Sequence, residues 1–167
     1  MDERDIPIPH DTPEPGDPGL AREAAALAIL AGALAASVVV YPGIAWFLTS
    51  EASDAGFQPS GLPAPLPAIL AGLGIVLLLV APVVEGRLRS GTAGEGGERA
   101  VQGFRTATLV GFALRETAAV LGLVIAITTG RPLWCYLLSL AALVAMVSAW
   151  PSRSRLERHA RGAVRPS

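Results

Sequence analysis

The sequence has a single cysteine, Cys135, and no lysine or asparagine among its 167 residues. One cysteine excludes an intramolecular disulfide and any metal cluster built from cysteine ligands. Charged residues make up only 16% of the chain and aromatic residues only 5%, and this charged fraction is well below that of soluble domains. The net charge of −1 and the lack of a basic patch interleaved with aromatic residues argue against a nucleic-acid partner.

Motifs that carry enzyme chemistry are also missing from the sequence. The glycine-rich segment 91–97 lacks the Lys-Ser/Thr ending of a phosphate-binding loop. There is no His-Glu-x-x-His motif, and the two histidines, His10 and His159, lie far apart in polar segments. We therefore expect a protein that is not an enzyme and that uses neither a cofactor nor a metal.

Apolar residues, by contrast, make up 51% of the chain, and the mean hydropathy is +0.49. They are concentrated in four runs, at about 24–48, 67–84, 106–128 and 133–150. Runs of this length suit helices that cross a bilayer, and helices satisfy every backbone hydrogen bond within the segment itself. The sequence predicts an all-α membrane protein, with a bundle of four transmembrane helices in residues 23–151.

The segments outside these runs predict how the bundle is oriented. Residues 1–22 are acidic and rich in proline, which is typical of a disordered tail. Eleven of the thirteen arginines lie in that tail, in the 85–105 connection or in the C-terminal segment 152–167, whereas Arg131 alone lies on the opposite side. The positive-inside rule therefore predicts that both termini are cytoplasmic.

The apolar runs and the basic C-terminal segment also predict what the chain binds. The bilayer is the first partner, and the basic C-terminal tail is expected to contact anionic lipid. The arginines proposed for that contact are Arg153, Arg155, Arg158 and Arg161. We further expect the chain to associate with itself or with another membrane protein.

Two adjacent charges, Arg115 and Glu116, lie near the middle of the third run. An arginine at the centre of a membrane helix costs roughly 3 kcal/mol on insertion scales, so neither side chain is expected to face lipid. Adjacent helical residues project about 100° apart, and each charge therefore needs a partner of its own. The polar candidates for such a partner are Ser37, Tyr41, Glu85, Thr117, Ser139 and Ser148.

Three environments for Glu116 remain open on the sequence alone. Its carboxyl group is protonated and hydrogen-bonded, or paired with Arg115, or bound by a group from another subunit. In the first function considered, Arg115, Glu116, Tyr41 and Thr117 form a clamp that sets helix packing or partner binding in an accessory or scaffold subunit. In the alternative, Glu116 is the carboxylate of a proton- or cation-handling subunit.

Small residues recur at four-residue spacing in the first, third and fourth runs. Such stripes let helix backbones approach closely within lipid. They predict close packing at Gly32, Gly72 and Gly122. After the third run, Gly130 is expected to end the helix, and Pro132 to open the next one.

The stretch Phe112–Ala126, in which Glu116 is followed six residues later by Gly122-Leu123-Val124, resembles the carboxylate-bearing helix of the c-type proteolipid of rotary ATP synthases. The preceding Val84-Glu85-Gly86 and the polar connection are also similar to that family. The resemblance implies that Glu116 binds an ion and that Gly122 is a close-packing position.

A second resemblance covers more of the chain. Ala113-Leu114-Arg115-Glu116, together with a last run that ends Trp150-Pro151-Ser152-Arg153, is similar to small four-span proteins of the bacterial inner membrane. This resemblance implies the architecture and the location, and it implies no particular activity.

Overall fold

The computed structural model describes residues 18–54, 63, 65–91 and 97–152. Every regular element in this part of the chain is an α-helix. The four helices are α1 (Pro18–Asp54), α2 (Pro65–Gly91), α3 (Gly97–Thr129) and α4 (Leu133–Ser148). The prediction of an all-helical protein is confirmed for the described residues.

Three of the helices extend beyond the apolar runs from which they were predicted. α1 begins at Pro18, so the last residues of the segment predicted to be disordered, 18–22, are helical, and residues 1–17 lie outside the described part. α2 continues past Val84 to Gly91, which places Glu85 inside a helix rather than in a loop. The predicted tail 152–167 lies outside the described residues beyond Ser152.

The connection between α3 and α4 is tight and has the predicted chemistry. Gly130 has a positive φ of 69°, a left-handed conformation that glycine adopts without a steric penalty. Its N–H donates to the carbonyl of Ala126 at 2.9 Å, which ends α3. Pro132 caps the start of α4, so the chain reverses within a few residues.

Three helices contain segments long and apolar enough to cross a membrane: Ala21–Ser50, Pro65–Gly91 and Val101–Thr129. α4 is equally apolar but has only 16 residues. At 1.5 Å per residue it is about 24 Å long, somewhat less than a hydrocarbon core of about 30 Å. The composition and length of these helices are those of a membrane protein.

Contacts along the helices show their directions. Leu27 packs against Phe104 near the start of α1 and α3, and Ala45 clusters with Ala126 near their ends, so these two helices are parallel. α4 runs the opposite way, because its first turn adds Cys135 to the second cluster.

α3 is the central helix of the bundle. It contacts α1, α2 and α4, whereas α1 and α2 share no contact among the described residues. The main core cluster accordingly joins α1, α3 and α4 through the buried side chains Ala31, Val38, Phe112, Ala119, Ala142 and Met146. Because α4 also contacts α1 and α2, the placement of these two helices depends on their contacts with both α3 and α4.

Glycines at two of the helix contacts allow a close approach. A Cβ on Gly122 would lie 3.0 Å from both the Cα of Cys135 and the carbonyl oxygen of Trp134, which are backbone atoms of α4. In α2 the close contact is at Gly74, where a Cβ would lie 3.1 Å from the Leu138 side chain.

The other two glycines predicted to pack closely are placed differently. Gly72 is exposed and has open space around it, so the prediction for this position is wrong within the chain. The reason is rotation, since Gly74 lies two residues, or about 200°, further round the helix and faces α3 and α4. Gly32 has only an ordinary contact, at 3.9 Å from the Trp150 ring.

We predict that Gly122→Ala destabilises the bundle by about 1–3 kcal/mol, because the added methyl group has to displace backbone rather than a flexible side chain. Reversible unfolding in mixed micelles, followed by circular dichroism, measures the change. Gly72→Ala is the matched control and is expected to be neutral or to stabilise by up to about 1 kcal/mol through helix propensity. Equal losses in the two variants would contradict the assigned contact.

Candidate functional site

Arg115 and Glu116 leave the same turn of α3 toward different helices. Arg115 is 3% exposed and donates from Nη1 to Oε1 of Glu85 on α2. Its guanidinium group also lies 5.8 Å from the centroid of the Phe112 ring, at a distance that allows a cation–π interaction. Arg115 therefore links α3 to α2.

The carboxylate of Glu85 is shared between two arginines. Its Oε2 lies 3.5 Å from Nη2 of Arg89, one turn further along α2, while Oε1 accepts from Arg115. Glu85 is only 5% exposed, and burial of a carboxylate is tolerated when its oxygens are paired with cations. The three side chains form a triad that joins α2 to α3, in which Glu85 and Arg115 are buried and Arg89 is partly exposed.

Space for this triad comes from Gly111 on α3. A Cβ at this position would overlap the carboxyl group of Glu85, so only glycine leaves room for that side chain to reach Arg115. Gly111 is not among the glycines predicted from the sequence to pack closely. It lies four residues before Arg115 and hence on the same face of the helix, which is the signal that was available.

Glu116 turns toward α1 and meets two hydroxyl groups. Its Oε1 lies 2.6 Å from Ser37 Oγ and 2.9 Å from the Tyr41 hydroxyl. Ser37 and Tyr41 are four residues apart and so share one face of α1. We call Glu116, Ser37 and Tyr41 the hydroxyl–carboxyl cluster.

Glu116 lies at the border between the interior and the outer surface of the bundle. Four residues before it Phe112 is 1% exposed, whereas four residues after it Val120 is 36% exposed. Thr117 is exposed and donates to the carbonyl of Ala113 on its own helix at 2.8 Å. Thr117 therefore lies outside the cluster, because it is rotated about 100° beyond Glu116.

Arg115 and Glu116 do not form an ion pair with each other in the described part of the chain. Arg115 pairs with Glu85, and the partners of Glu116 are neutral hydroxyl groups. Arg115 and Glu116 therefore make two separate connections. The first is an ion pair with α2, and the second consists of hydrogen bonds to α1. One donor, Nε of Arg115, is buried and has no hydrogen-bond partner.

Residues suited to a metal do not converge in the described segments, where no group of three or more His, Cys, Asp or Glu side chains could hold an ion. Cys135 is buried, and its sulfur lies 3.9 Å from Ser139 Oγ on the next turn of α4. Polar contacts between helices are found at the triad, at the hydroxyl–carboxyl cluster and at a more exposed ion pair between Arg105 of α3 and Glu23 of α1.

Comparison of the chain with protein-family models, with curated proteins and with solved structures finds no match. The geometry of α3 and its partners is therefore the basis for a functional proposal.

We predict that Arg115→Leu destabilises the folded chain by about 3–5 kcal/mol, because it removes the buried cation that faces Glu85. The double variant Arg115→Leu/Glu85→Leu is expected to recover much of the loss, since neither charge is then left buried alone. Unfolding in mixed micelles measures the four free energies needed, those of wild type, Arg115→Leu, Glu85→Leu and the double variant.

Arg105→Leu is the control for that comparison. Arg105 lies 3.8 Å from Glu23, and both side chains are more than 40% exposed, so its loss is expected to cost under about 1 kcal/mol. Strictly additive effects of Arg115→Leu and Glu85→Leu would refute a direct pairing between these two residues.

Proposed function

We propose that the chain is a multi-pass protein of the bacterial cytoplasmic membrane, with all four helices crossing the bilayer and both termini in the cytoplasm. The apolar helices support the membrane location. α4 runs opposite to α1 and α3, and Trp150, which follows it, lies beside Phe112 and near Gly32 of α1, which supports a return of the chain toward the side on which α1 and α3 begin. The excess of arginine in the segments on one side supports the orientation.

Within that membrane we propose a non-enzymatic role as an accessory or scaffold subunit. The observation that carries this proposal is that both charges at the centre of α3 are engaged by neighbouring helices of the same chain. Charged groups inside a membrane are costly and are retained where they have a role. Here that role is to hold α1 and α2 at defined positions on α3.

A scaffold of this kind needs a partner, which we propose to be a second copy of the chain or another membrane protein. α1 and α2 present their outer faces to the bilayer, with large apolar side chains such as Ile29, Trp46 and Leu79 more than 60% exposed. Lipid covers the apolar surface that the partner does not contact. Anionic-lipid contact by Arg153, Arg155, Arg158 and Arg161 belongs to the same proposal and lies outside the described residues.

A second candidate function is the handling of protons or cations by Glu116. One observation favours it: the groups that hydrogen-bond to this carboxyl group are hydroxyls, whereas the buried carboxyl group of Glu85 is paired with arginine. A carboxyl group without a fixed counter-charge can exchange a proton or a small cation without breaking an ion pair.

The orientation predicts a labelling pattern in intact cells. Single cysteines in a Cys135→Ala background at Asp2 and Ser167 are expected to be protected from a membrane-impermeant maleimide, because both termini are cytoplasmic. A cysteine at Ser60, in the connection between the first two helices, is expected to react. Labelling at either terminus without permeabilisation would contradict the orientation.

The scaffold role predicts that the chain leaves native membranes in mild detergent as part of a complex. Native mass spectrometry is expected to show an assembly heavier than the 17.2 kDa monomer, and proteoliposomes of the purified chain are expected to show no proton or sodium flux.

Flux would instead favour the second candidate if Glu116→Gln abolished it and Glu23→Gln did not. Glu23 is the matched control, because it is a half-exposed carboxylate on α1 that pairs with Arg105. A monomer that shows neither assembly nor flux would contradict both proposals.

A further inference from the structure

Three short oxygen–oxygen contacts meet at the hydroxyl–carboxyl cluster. Ser37 Oγ lies 2.7 Å from the carbonyl oxygen of Leu34 and 2.6 Å from Oε1 of Glu116. The third contact joins the Tyr41 hydroxyl to the same Oε1 at 2.9 Å. All three lengths lie in the range of O–H···O hydrogen bonds, so each requires one hydrogen atom between its two oxygens.

The hydrogens available can be counted. Serine and tyrosine hydroxyl groups carry one hydrogen each, a carbonyl oxygen carries none, and an ionised carboxylate carries none. Two hydrogens fill three contacts only if one of them is shared between two acceptors. The shared hydroxyl hydrogens of Thr49 and Thr128 each have one long contact of 3.2 Å, whereas neither contact of Ser37 exceeds 2.7 Å. If Glu116 were ionised, one of the two contacts of Ser37 would bring two acceptor oxygens within 2.7 Å with no hydrogen between them.

We infer that Glu116 is a proton-binding site that is occupied in this structure. Its carboxyl group donates to Ser37 Oγ, Ser37 donates to the carbonyl of Leu34, and Tyr41 donates to Oε1 of Glu116. Every contact then has its hydrogen. The bound proton completes a chain of hydrogen bonds that joins the middle of α3 to α1.

The surrounding charges agree with a neutral carboxyl group. On α1 the titratable group that faces Glu116 is Tyr41. Its neighbour on α3, Arg115, is directed to Glu85 of α2, so that cation is already neutralised.

α4, which packs against both α1 and α3, carries no charged residue between Leu133 and Ser148. Its titratable side chains are Cys135 and Tyr136, of which Cys135 contacts Ser139. A carboxylate without a cationic partner is strongly disfavoured in an apolar medium.

The proton also has a mechanical consequence. α1 makes no contact with α2, so its placement depends on α3 and α4. Loss of the proton leaves two acceptor oxygens facing each other between Ser37 and either Glu116 or Leu34, which loosens α1 from α3. The inference rests on the second candidate function in taking Glu116 as the ion-carrying group, and it adds that the ion is a proton held by Ser37 and Tyr41.

Infrared difference spectroscopy of the full chain in lipid bilayers tests the inference. Wild type minus Glu116→Gln is expected to show the C=O stretch of a protonated carboxylic acid at neutral pH, shifted to lower frequency in D2O. Ser37→Ala, which keeps Glu116 but removes the acceptor of its proton, is expected to shift that band to higher frequency. Glu23→Gln is the control and is expected to remove only carboxylate bands.

Stability against pH provides a second readout. Because the folded chain holds a proton that the unfolded chain releases near neutral pH, wild-type unfolding temperature is expected to fall as pH rises. Glu116→Gln removes the proton-binding group and keeps its size. Both contacts meet Oε1 of Glu116, and a single amide atom in that place can donate to Ser37 or accept from Tyr41 but not both, so the variant is expected to be less stable than wild type at low pH. Its unfolding temperature is expected to lack the pH-dependent fall.

Carboxylate bands alone, at every pH from about 5 to about 9, would overturn the inference and would leave the scaffold proposal standing. A protonated band that Ser37→Ala does not move would also overturn it, because the proton would then lie elsewhere. The protonated band without flux in proteoliposomes would support the proton site and refute the second candidate function, so the two failures are distinguishable.

Discussion

The 100° between consecutive residues of an α-helix is the constraint on which the arrangement of this bundle depends. Arg115 and Glu116 are adjacent in an apolar helix, and neither is stable facing lipid. Because their side chains diverge, one partner cannot serve both. Arg115 is paired with Glu85 on α2, and Glu116 is hydrogen-bonded to Ser37 and Tyr41 on α1. A local property of α3 thus places two other helices.

Close packing around α3 makes these connections possible. Gly111 leaves the space that the Glu85 carboxyl group occupies, and Gly122 brings the backbone of α4 within contact distance. In lipid the hydrophobic effect does little to join one helix to another, so close van der Waals packing and interhelical polar contacts carry more of the association. α3 combines both, and it is through α3 and α4 that α1 and α2, which share no contact among the described residues, belong to one bundle.

Much of the candidate site could be predicted from the sequence, and the misses share one cause. Ser37, Tyr41 and Glu85 are among the few polar residues within or beside the apolar runs, so they were identified as possible partners by elimination. Thr117 was also selected, but it faces away from α1 and bonds to its own helix. Gly72 was chosen over Gly74, and Gly111 was overlooked, because composition does not show which side of a helix meets a neighbour.

Three properties follow from the amino-acid sequence alone: the chain forms apolar helices, a turn falls between α3 and α4, and two adjacent ionisable side chains lie where lipid cannot solvate them. These properties depend on hydrophobicity, helix length and the conformations of glycine and proline, all of which act over a few residues. Which of the two side chains meets which helix, and how many hydrogens the cluster needs, became evident from the packing of the helices. Those outcomes depend on the rotation of each helix about its own axis, which is determined by contacts between residues as far apart as Ser37 and Glu116.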